Sequence, residues 1–296
     1  MVIVSGQGKW LLGAGMTACA LLIAGCTTHT PQLELKMDPA ATTAPPTAQP
    51  APLEPTPPIV TAPPPAMPII AIVPPPSPPS ATVPDDFLQT AALQPSTQPE
   101  GEGWVPIFDG KTLSGWAVTD FAGHGETTVR DTLLLLSMGD PLTGINWTNR
   151  LAKMNYEISL DAMRVNGSDF FCGLTVPVND SFCSLIVGGW GGSLVGISSL
   201  DGLDASENET TKFINVEDRK WYRVRLRVTT GRIEGWLDQE KLVDVDTSEL
   251  RISLRPGDIE LSKPLGIASY QTTAALRNIQ MRRVSEPADP LKKKRN

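Results

Sequence analysis

The run Trp221-Tyr222-Arg223-Val224-Arg225-Leu226-Arg227-Val228, followed across Thr230-Gly231 by Ile233-Glu234-Gly235-Trp236-Leu237-Asp238, alternates apolar with charged or indole side chains. A period of two is the signature of a half-buried strand, and the small residues between the runs mark a tight turn. Tyr222, Val224, Leu226, Val228, Ile233 and Leu237 then point to one face, the core. Trp221, Arg223, Arg225, Arg227, Glu234, Trp236 and Asp238 point to the other. A two-residue turn sets Arg227 opposite Glu234, Arg225 opposite Trp236 and Arg223 opposite Asp238. That register predicts two opposite-charge pairs flanking a cation–π contact.

The same pattern extends outward. Phe170, Cys172, Leu174 and Val176 share one face of a strand, and Cys183, Leu185 and Val187 share one face of its return, with the turn expected at Pro177-Val178. This turn would bring Cys172 opposite Cys183 on the core side. Either a cross-strand disulfide or two buried thiols follows, because sequence does not fix the Cα separation that a bridge requires. From Trp104 onward short alternating runs are divided by Gly, Asn, Asp and Pro clusters, and no long 3.6-residue period interrupts them. The fold expected is all-β, a two-sheet sandwich.

Composition sets the boundaries. Of 28 prolines in 296 residues, 21 fall between positions 31 and 100. A Pro-dense stretch lacks backbone donors and apolar surface, so residues 26–100 are expected to be a disordered, polyproline-rich linker. Residues 101–284 form the one folded block, and residues 285–296, ending in Lys292-Lys293-Lys294-Arg295, form a basic disordered tail. Upstream, Lys9 precedes an apolar run from Trp10 to Ile23, and Leu22-Ile23-Ala24-Gly25-Cys26 follows the lipoprotein signal pattern. Residues 1–25 are thus expected to be a signal peptide and Cys26 a lipidated N-terminus that anchors the domain to the cell envelope, with membrane lipid as a partner. A net charge of −7 and a pI near 5.0 argue against nucleic acid, which requires a positive stripe.

The folded block opens with Trp104-Val105-Pro106-Ile107-Phe108-Asp109-Gly110-Lys111-Thr112-Leu113-Ser114-Gly115-Trp116. This run closely resembles the opening of the 3-keto-disaccharide hydrolase domain family. The strand Tyr156–Asp161, the Trp221-Tyr222 strand with its Gly235-Trp236-Leu237-Asp238 partner, and the closing strand Leu276–Met281 agree in order. The resemblance implies a concanavalin A-like jelly roll related to family 16 glycoside hydrolases. It also implies a carbohydrate partner and hydrolase or lyase chemistry on keto sugars. Two departures stand out. The Glu-x-Asp-x-Glu strand motif of family 16 is absent, and the late Gln-Asp-His-Gly-like stretch is replaced by Ser269-Tyr270-Gln271-Thr272-Thr273. Those departures favour a rival reading as a non-catalytic carbohydrate-binding or envelope interaction module.

A 3-keto sugar is cleaved by removing the proton at C2 and expelling the C1 substituent, so it needs a base, a stabiliser for the enolate and an acid. Candidate catalytic groups are Glu157 and Asp161, two outward carboxylates of one strand whose plainer reading is a solvated strand face, and His124 in the loop Ala122–Glu126. Candidate substrate-binding groups are Trp190, Arg223, Arg225, Glu234, Trp236 and Asp238. Gly188-Gly189-Trp190-Gly191-Gly192 reads as a loop exposing an indole, ahead of Asp201, Asp204, Glu207, Asn208 and Glu209. Oxygen ligands of this kind suit calcium, although the EF-hand register is missing, and no other cofactor is expected. Zinc motifs, P-loops and dinucleotide fingerprints are absent from the sequence.

Overall fold

The computed structural model describes residues 83–96 and 98–285. The expected signal sequence, Cys26, most of the Pro-rich stretch and the Lys292–Arg295 run lie outside them. Strands follow in the order β1 (Val105–Pro106), β2 (Trp116–Val118), β3 (Thr127–Arg130), β4 (Leu133–Leu136), β5 (Leu142–Trp147), β6 (Tyr156–Gly167), β7 (Cys172–Val178) and β8 (Ser181–Gly188). Then come β9 (Leu194–Ser198), β10 (Lys212–Phe213), β11 (Tyr222–Thr229), β12 (Arg232–Leu237), β13 (Glu240–Asp246), β14 (Gly266–Tyr270) and β15 (Thr272–Arg283). They form two antiparallel sheets. The first has the order β13-β12-β11-β6-β15-β4-β3, with β1 also on β15, and the second β10-β9-β8-β7-β14-β5-β2. Chain neighbours and distant strands interleave in both, as in a jelly-roll sandwich.

The decisive hairpin folds as its alternation requires. Arg225 pairs with Trp236 and Arg227 with Glu234, and Val224, Leu226, Val228 and Ile233 are fully buried between the sheets. Facing them from the second sheet are Leu174, Val176, Leu185 and Ile197. Burying side chains of this size stabilises by about 1.5–3 kcal/mol each before entropy is counted. The opening run is a turn-former. Backbone N–H groups of Thr112 and Lys111 donate to Asp109 and hold its pKa down at about 2. The indole of Trp116 donates to the Ile107 carbonyl at 2.7 Å, tying β2 to the segment after β1.

Two expectations are corrected. The first is the turn between β7 and β8; of the two alternatives for the cysteines it leaves the buried free thiols, Cys172 and Cys183 being unbridged. The turn lies at Asn179-Asp180, because Asn179 accepts the left-handed conformation (φ 54°) and β7 runs on through Pro177 and Val178. Cys183 therefore pairs with Val176, and Cys172 with Val187. Four residues separate the two thiols along the strand, roughly 13 Å at about 3.3 Å per residue, beyond the reach of a disulfide.

The other correction is the domain's start. Within the stretch expected to be linker, Asp85–Leu93 forms a helix, α1. Pro84 precedes it, Asp85 and Asp86 meet its positive end, and Leu88 and Ala91 on one face are buried against Leu133, Leu135, Met163, Val165 and Ala275. The folded unit thus extends back at least to α1, which packs on the outer face of the first sheet.

Candidate functional site

The outer face of the first sheet carries most of the residues singled out from sequence. Arg225 lies 3.9 Å above the Trp236 ring and Arg227 is 3.4 Å from Glu234, as the hairpin register dictates. Asp238 differs from expectation. Its carboxylate accepts the Arg223 backbone N–H at 2.8 Å, while the Arg223 guanidinium reaches across to Asp161 at 2.6 Å. The reason is topological: β11 lies between β12 and β6, and residue 223 stands opposite residue 161. Glu157 and Asp161 were expected on a solvated face, yet Glu157 is fully buried and Asp161 is 3% exposed. Glu157 pairs with Arg225 (3.0 Å), Arg227 (3.4 Å) and Arg282 (2.6 Å). Asp161 pairs with Arg223 and Arg277 and accepts from Ser96 and Asn278. Burial works to raise the Asp161 pKa, but Arg223, Ser96 and Asn278 outweigh it and hold the carboxyl below the ordinary value. Glu234 is shared by Arg227 and Lys241. These carboxylates hold arginines in place.

His124 stands apart, exposed, with Nδ1 2.9 Å from the Gly125 carbonyl oxygen. Among the described residues no group of three or more His, Cys, Asp or Glu side chains has a metal-holding arrangement. In the acidic stretch, Asp204 accepts from Ser198 and pairs with Arg255 at 2.7 Å, and Asp201 accepts the Arg251 N–H. Asn208 closes the loop by donating to the carbonyls of Ile197, Leu203 and Asp204.

Trp190 belongs to a different place, the outer face of the second sheet. Gly189–Gly192 makes one tight turn with Trp190 in the left-handed region (φ 48°), which leaves its indole 40% exposed. Asp169 secures that turn, accepting the Gly191 N–H at 3.0 Å with one oxygen and the Phe170 N–H at 2.8 Å with the other. Below lies a cleft of about 360 Å³ lined by Trp190, Phe170, Tyr270, Ser184, Ser198 and Arg255, among others. Its floor follows from strand register. Thr175 on β7 is opposite Ser184 on β8, which is opposite Ser198 on β9; of this row Ser184 and Ser198 line the cleft, and Thr175 lies fully buried beside them. Thr175 and Ser184 are 2.7 Å apart. Beside the row, Gly173 permits close approach of an aromatic ring, since a Cβ there would stand 2.9 Å from Phe170 Cε2. Arg255, from the opposite wall, is 5.9 Å from the centre of the Trp190 ring.

Of the candidate binding residues, then, only Trp190 lines this cleft. Ser184, Ser198, Asp169, Arg255, Asp258 and Tyr270 were not singled out. Ser184 was within reach, because the alternation that sends Cys183 and Leu185 inward sends Ser184 outward.

The sandwich is of the jelly-roll class, with ion pairs across the outer face of one sheet and an aromatic-walled cleft on the outer face of the other. Residues 103–282 match the 3-keto-alpha-glucoside-1,2-lyase-like domain family, and the chain belongs to that family. Among curated proteins none matches. Similar solved structures include a protein described as a candidate glycosyl hydrolase from Parabacteroides distasonis, with 15% identity, covering 62% of this chain and 95% of that one, at a TM-score of 0.41. Carbohydrate-binding module CBM66 from Bacillus subtilis is 14% identical over 57% of this chain and 95% of that one, at 0.36. Domain 4 of AbnA, a GH43 extracellular arabinanase from Geobacillus stearothermophilus in complex with arabinotriose, is 11% identical over 62% and 93%, at 0.41.

Proposed function

We propose that the domain engages a saccharide in the cleft beneath Trp190 and acts on the glycosidic bond of a 3-keto sugar. Family membership supports the substrate class. The observation that carries the reading is the adjacent pair of cleft hydroxyls Ser184 and Ser198 set among Trp190, Phe170 and Tyr270. Aromatic faces suit the C–H face of a sugar ring, and the hydroxyls and the Asp204–Arg255 pair suit its polar edge. In such a substrate the ketone acidifies the C2 hydrogen. A base takes that proton, the freed pair forms the enolate, the C1–O bond breaks, and the departing oxygen takes a proton from water. We assign the base to Asp258, the cleft carboxylate without a hydrogen-bond partner among the described residues. Arg255 supplies positive charge for the enolate oxygen.

Release of the aglycone from a synthetic 3-keto-α-glucoside tests this. Asp258→Asn is expected to lower kcat by about 10²-fold or more with binding retained, and Trp190→Ala to weaken binding by about tenfold. Undiminished turnover in Asp258→Asn would remove that residue as the base. A second reading, a non-catalytic binding module, draws on the commitment of Asp169 and Asp204 to protein contacts and on the lack of histidine along the cleft. Glycan retention that depends on Trp190, with no turnover in the parent protein, would establish it.

The setting proposed for this activity is the cell envelope, through lipidation of Cys26, with the Pro-rich stretch as spacer. Cys26→Ser is expected to move the protein from the membrane fraction to the soluble fraction. Unchanged membrane association would sink the anchor. Among the described residues no helix is long and apolar enough to cross a membrane.

A further inference from the structure

On β6, alternation sends Tyr156, Ile158, Leu160 and Ala162 into the core, and Arg164 continues that series, 8% exposed. A guanidinium at such a position requires partners. Each of its three nitrogens has one. Nε donates to Asp218 at 2.5 Å, Nη2 to the Val216 carbonyl at 2.9 Å and Nη1 to the Gly192 carbonyl at 3.0 Å. Asp218 and Val216 belong to the segment before β11, which returns a bond from the Arg219 N–H to the Arg164 carbonyl at 2.7 Å. Gly192 belongs to the turn that carries Trp190. Arg164 therefore reaches from a strand of the first sheet to the β8–β9 connection of the second.

That turn needs holding. Gly188, Trp190, Gly191 and Gly192 all have positive φ (79°, 48°, 83° and 103°), and a residue with a side chain as large as that of Trp190 is disfavoured there. Asp169 holds the peptide after Trp190 through the Gly191 N–H, and Arg164 holds the carbonyl that closes the turn. Packing adds little at Gly191, where no atom stands within 4 Å of the place a Cβ would take. The ring itself is met by Arg255, an exposed side chain 5.9 Å from its centre, near the limit of a cation–π contact. The orientation of the indole over the cleft is thus set by its backbone. We infer that Arg164, which does not line the cleft, is a positioning residue for it, fixing through the Gly192 carbonyl the turn that presents Trp190, a role that rests on the saccharide reading proposed above. A stacking ring binds best when its orientation is fixed before the ligand arrives, because less freedom is then lost on association.

Methyl 3-keto-α-glucoside is titrated calorimetrically into the full chain carrying Asp258→Asn, so that the sugar stays intact. Arg164→Met is expected to weaken binding about fivefold with Trp190 in place, and by less than about twofold beside Trp190→Ala, since a residue acting through the indole then has nothing to act on. Gly192→Ala breaks the same contact from the turn, its Cβ standing 2.6 Å from Nη1 at a φ of 103°, and should give the same pattern. Leu88→Asp, a packing change on the other sheet, is the stability control and should leave the affinity within about twofold of the parent. Equal losses with and without Trp190, unchanged affinity in Arg164→Met and Gly192→Ala, or the same loss in Leu88→Asp would overturn the positioning role and leave the saccharide reading standing. Undiminished binding in Trp190→Ala alone would overturn both the positioning role and the indole's share in the saccharide reading. Absence of binding by the Asp258→Asn chain would overturn the saccharide reading itself. The hold on the indole is then read from acrylamide quenching of the emission that Trp190→Phe removes. Quenching should rise in Arg164→Met and Gly192→Ala but not in Leu88→Asp, and unchanged quenching in the first two would overturn the role of Arg164.

Discussion

Glu157→Ala is expected to cost the domain about 3–5 kcal/mol, the range for removing one partner from a buried ion pair. The residue is at the centre of the first sheet, on β6, with no side-chain exposure, and its two oxygens serve three guanidinium groups. Removing the carboxylate leaves Arg225 stacked on Trp236 and Arg282 over Trp104, both largely desolvated and without a counter-charge, while Arg227 keeps Glu234. The cost is expected to exceed that of Glu157→Gln, which keeps the shape and one acceptor. Asp180→Ala, removing an exposed partner of Lys153, serves as a control with no measurable effect. Urea unfolding monitored by tryptophan fluorescence gives the comparison. A Glu157→Ala midpoint equal to that of the parent would show that the network adds nothing. Its neighbour adds a pH dependence with a definite sign. Asp161 is held below its ordinary pKa of 3.8, so its contribution is complete above that value and is lost as pH falls through the lower, folded-state pKa. Stability should therefore drop on acidification below about pH 4, and Asp161→Asn should flatten that drop.

How the network escaped a reading of the sequence is instructive. Alternation assigned each of Arg223, Arg225, Arg227 and Trp236 to its proper face, and the Thr230-Gly231 turn gave the correct register. What alternation within one hairpin does not contain is the identity of the next strand. Only the sheet order places β6 beside β11 and β15 beyond β6, and with them the carboxylates of Glu157 and Asp161 and the guanidinium groups of Arg277 and Arg282. An outward-facing charged strand was expected to be solvated. Here the same residues neutralise one another across three strands and are covered from above. The cleft was harder to see for a related reason. Thr175, Ser184 and Ser198 are unremarkable singly, and their meaning comes from two successive cross-strand registers. The cysteines show the sensitivity of such inferences to a turn. Placing it at Pro177-Val178 instead of Asn179-Asp180 slid the pairing by four residues and predicted contact between thiols that are well apart.

A chain beginning at Gly103, the first residue of the family match, is expected to be less stable than one retaining residues 83–102 by about 3 kcal/mol or more, and to associate. Proline density concealed α1, although the ten residues between Pro84 and Pro95 contain no proline and open with two acids, a helix-start signal. Its deletion uncovers Leu133, Leu135, Met163, Val165 and Ala275 together, and contiguous apolar surface of this kind drives association. The larger loss is electrostatic. Arg277, 5% exposed, donates to the carbonyls of Ala91, Ala92, Gln94 and Pro95, and so satisfies the last turn of α1 while remaining bonded to Asp161. Trp221, whose ring lies 4.2 Å under the Arg277 guanidinium, donates its indole N–H to the same Ala91 carbonyl. Without the segment, Asp161 also loses Ser96. For a domain of this size about 3 kcal/mol corresponds to a fall in Tm of roughly 6–12 °C. Leu88→Asp in the longer chain separates packing from chain length: it should reproduce most of the fall by opposing the docking of α1 on its apolar strip. If the shorter chain melts at the parent temperature and stays monomeric in light scattering, α1 is an ornament on a sandwich complete without it. If Leu88→Asp and the deletion behave alike, the folded unit is larger than the family's boundaries, and the outer face of the first sheet is sealed by its own N-terminal segment, leaving the cleft on the second sheet as the face open to a ligand.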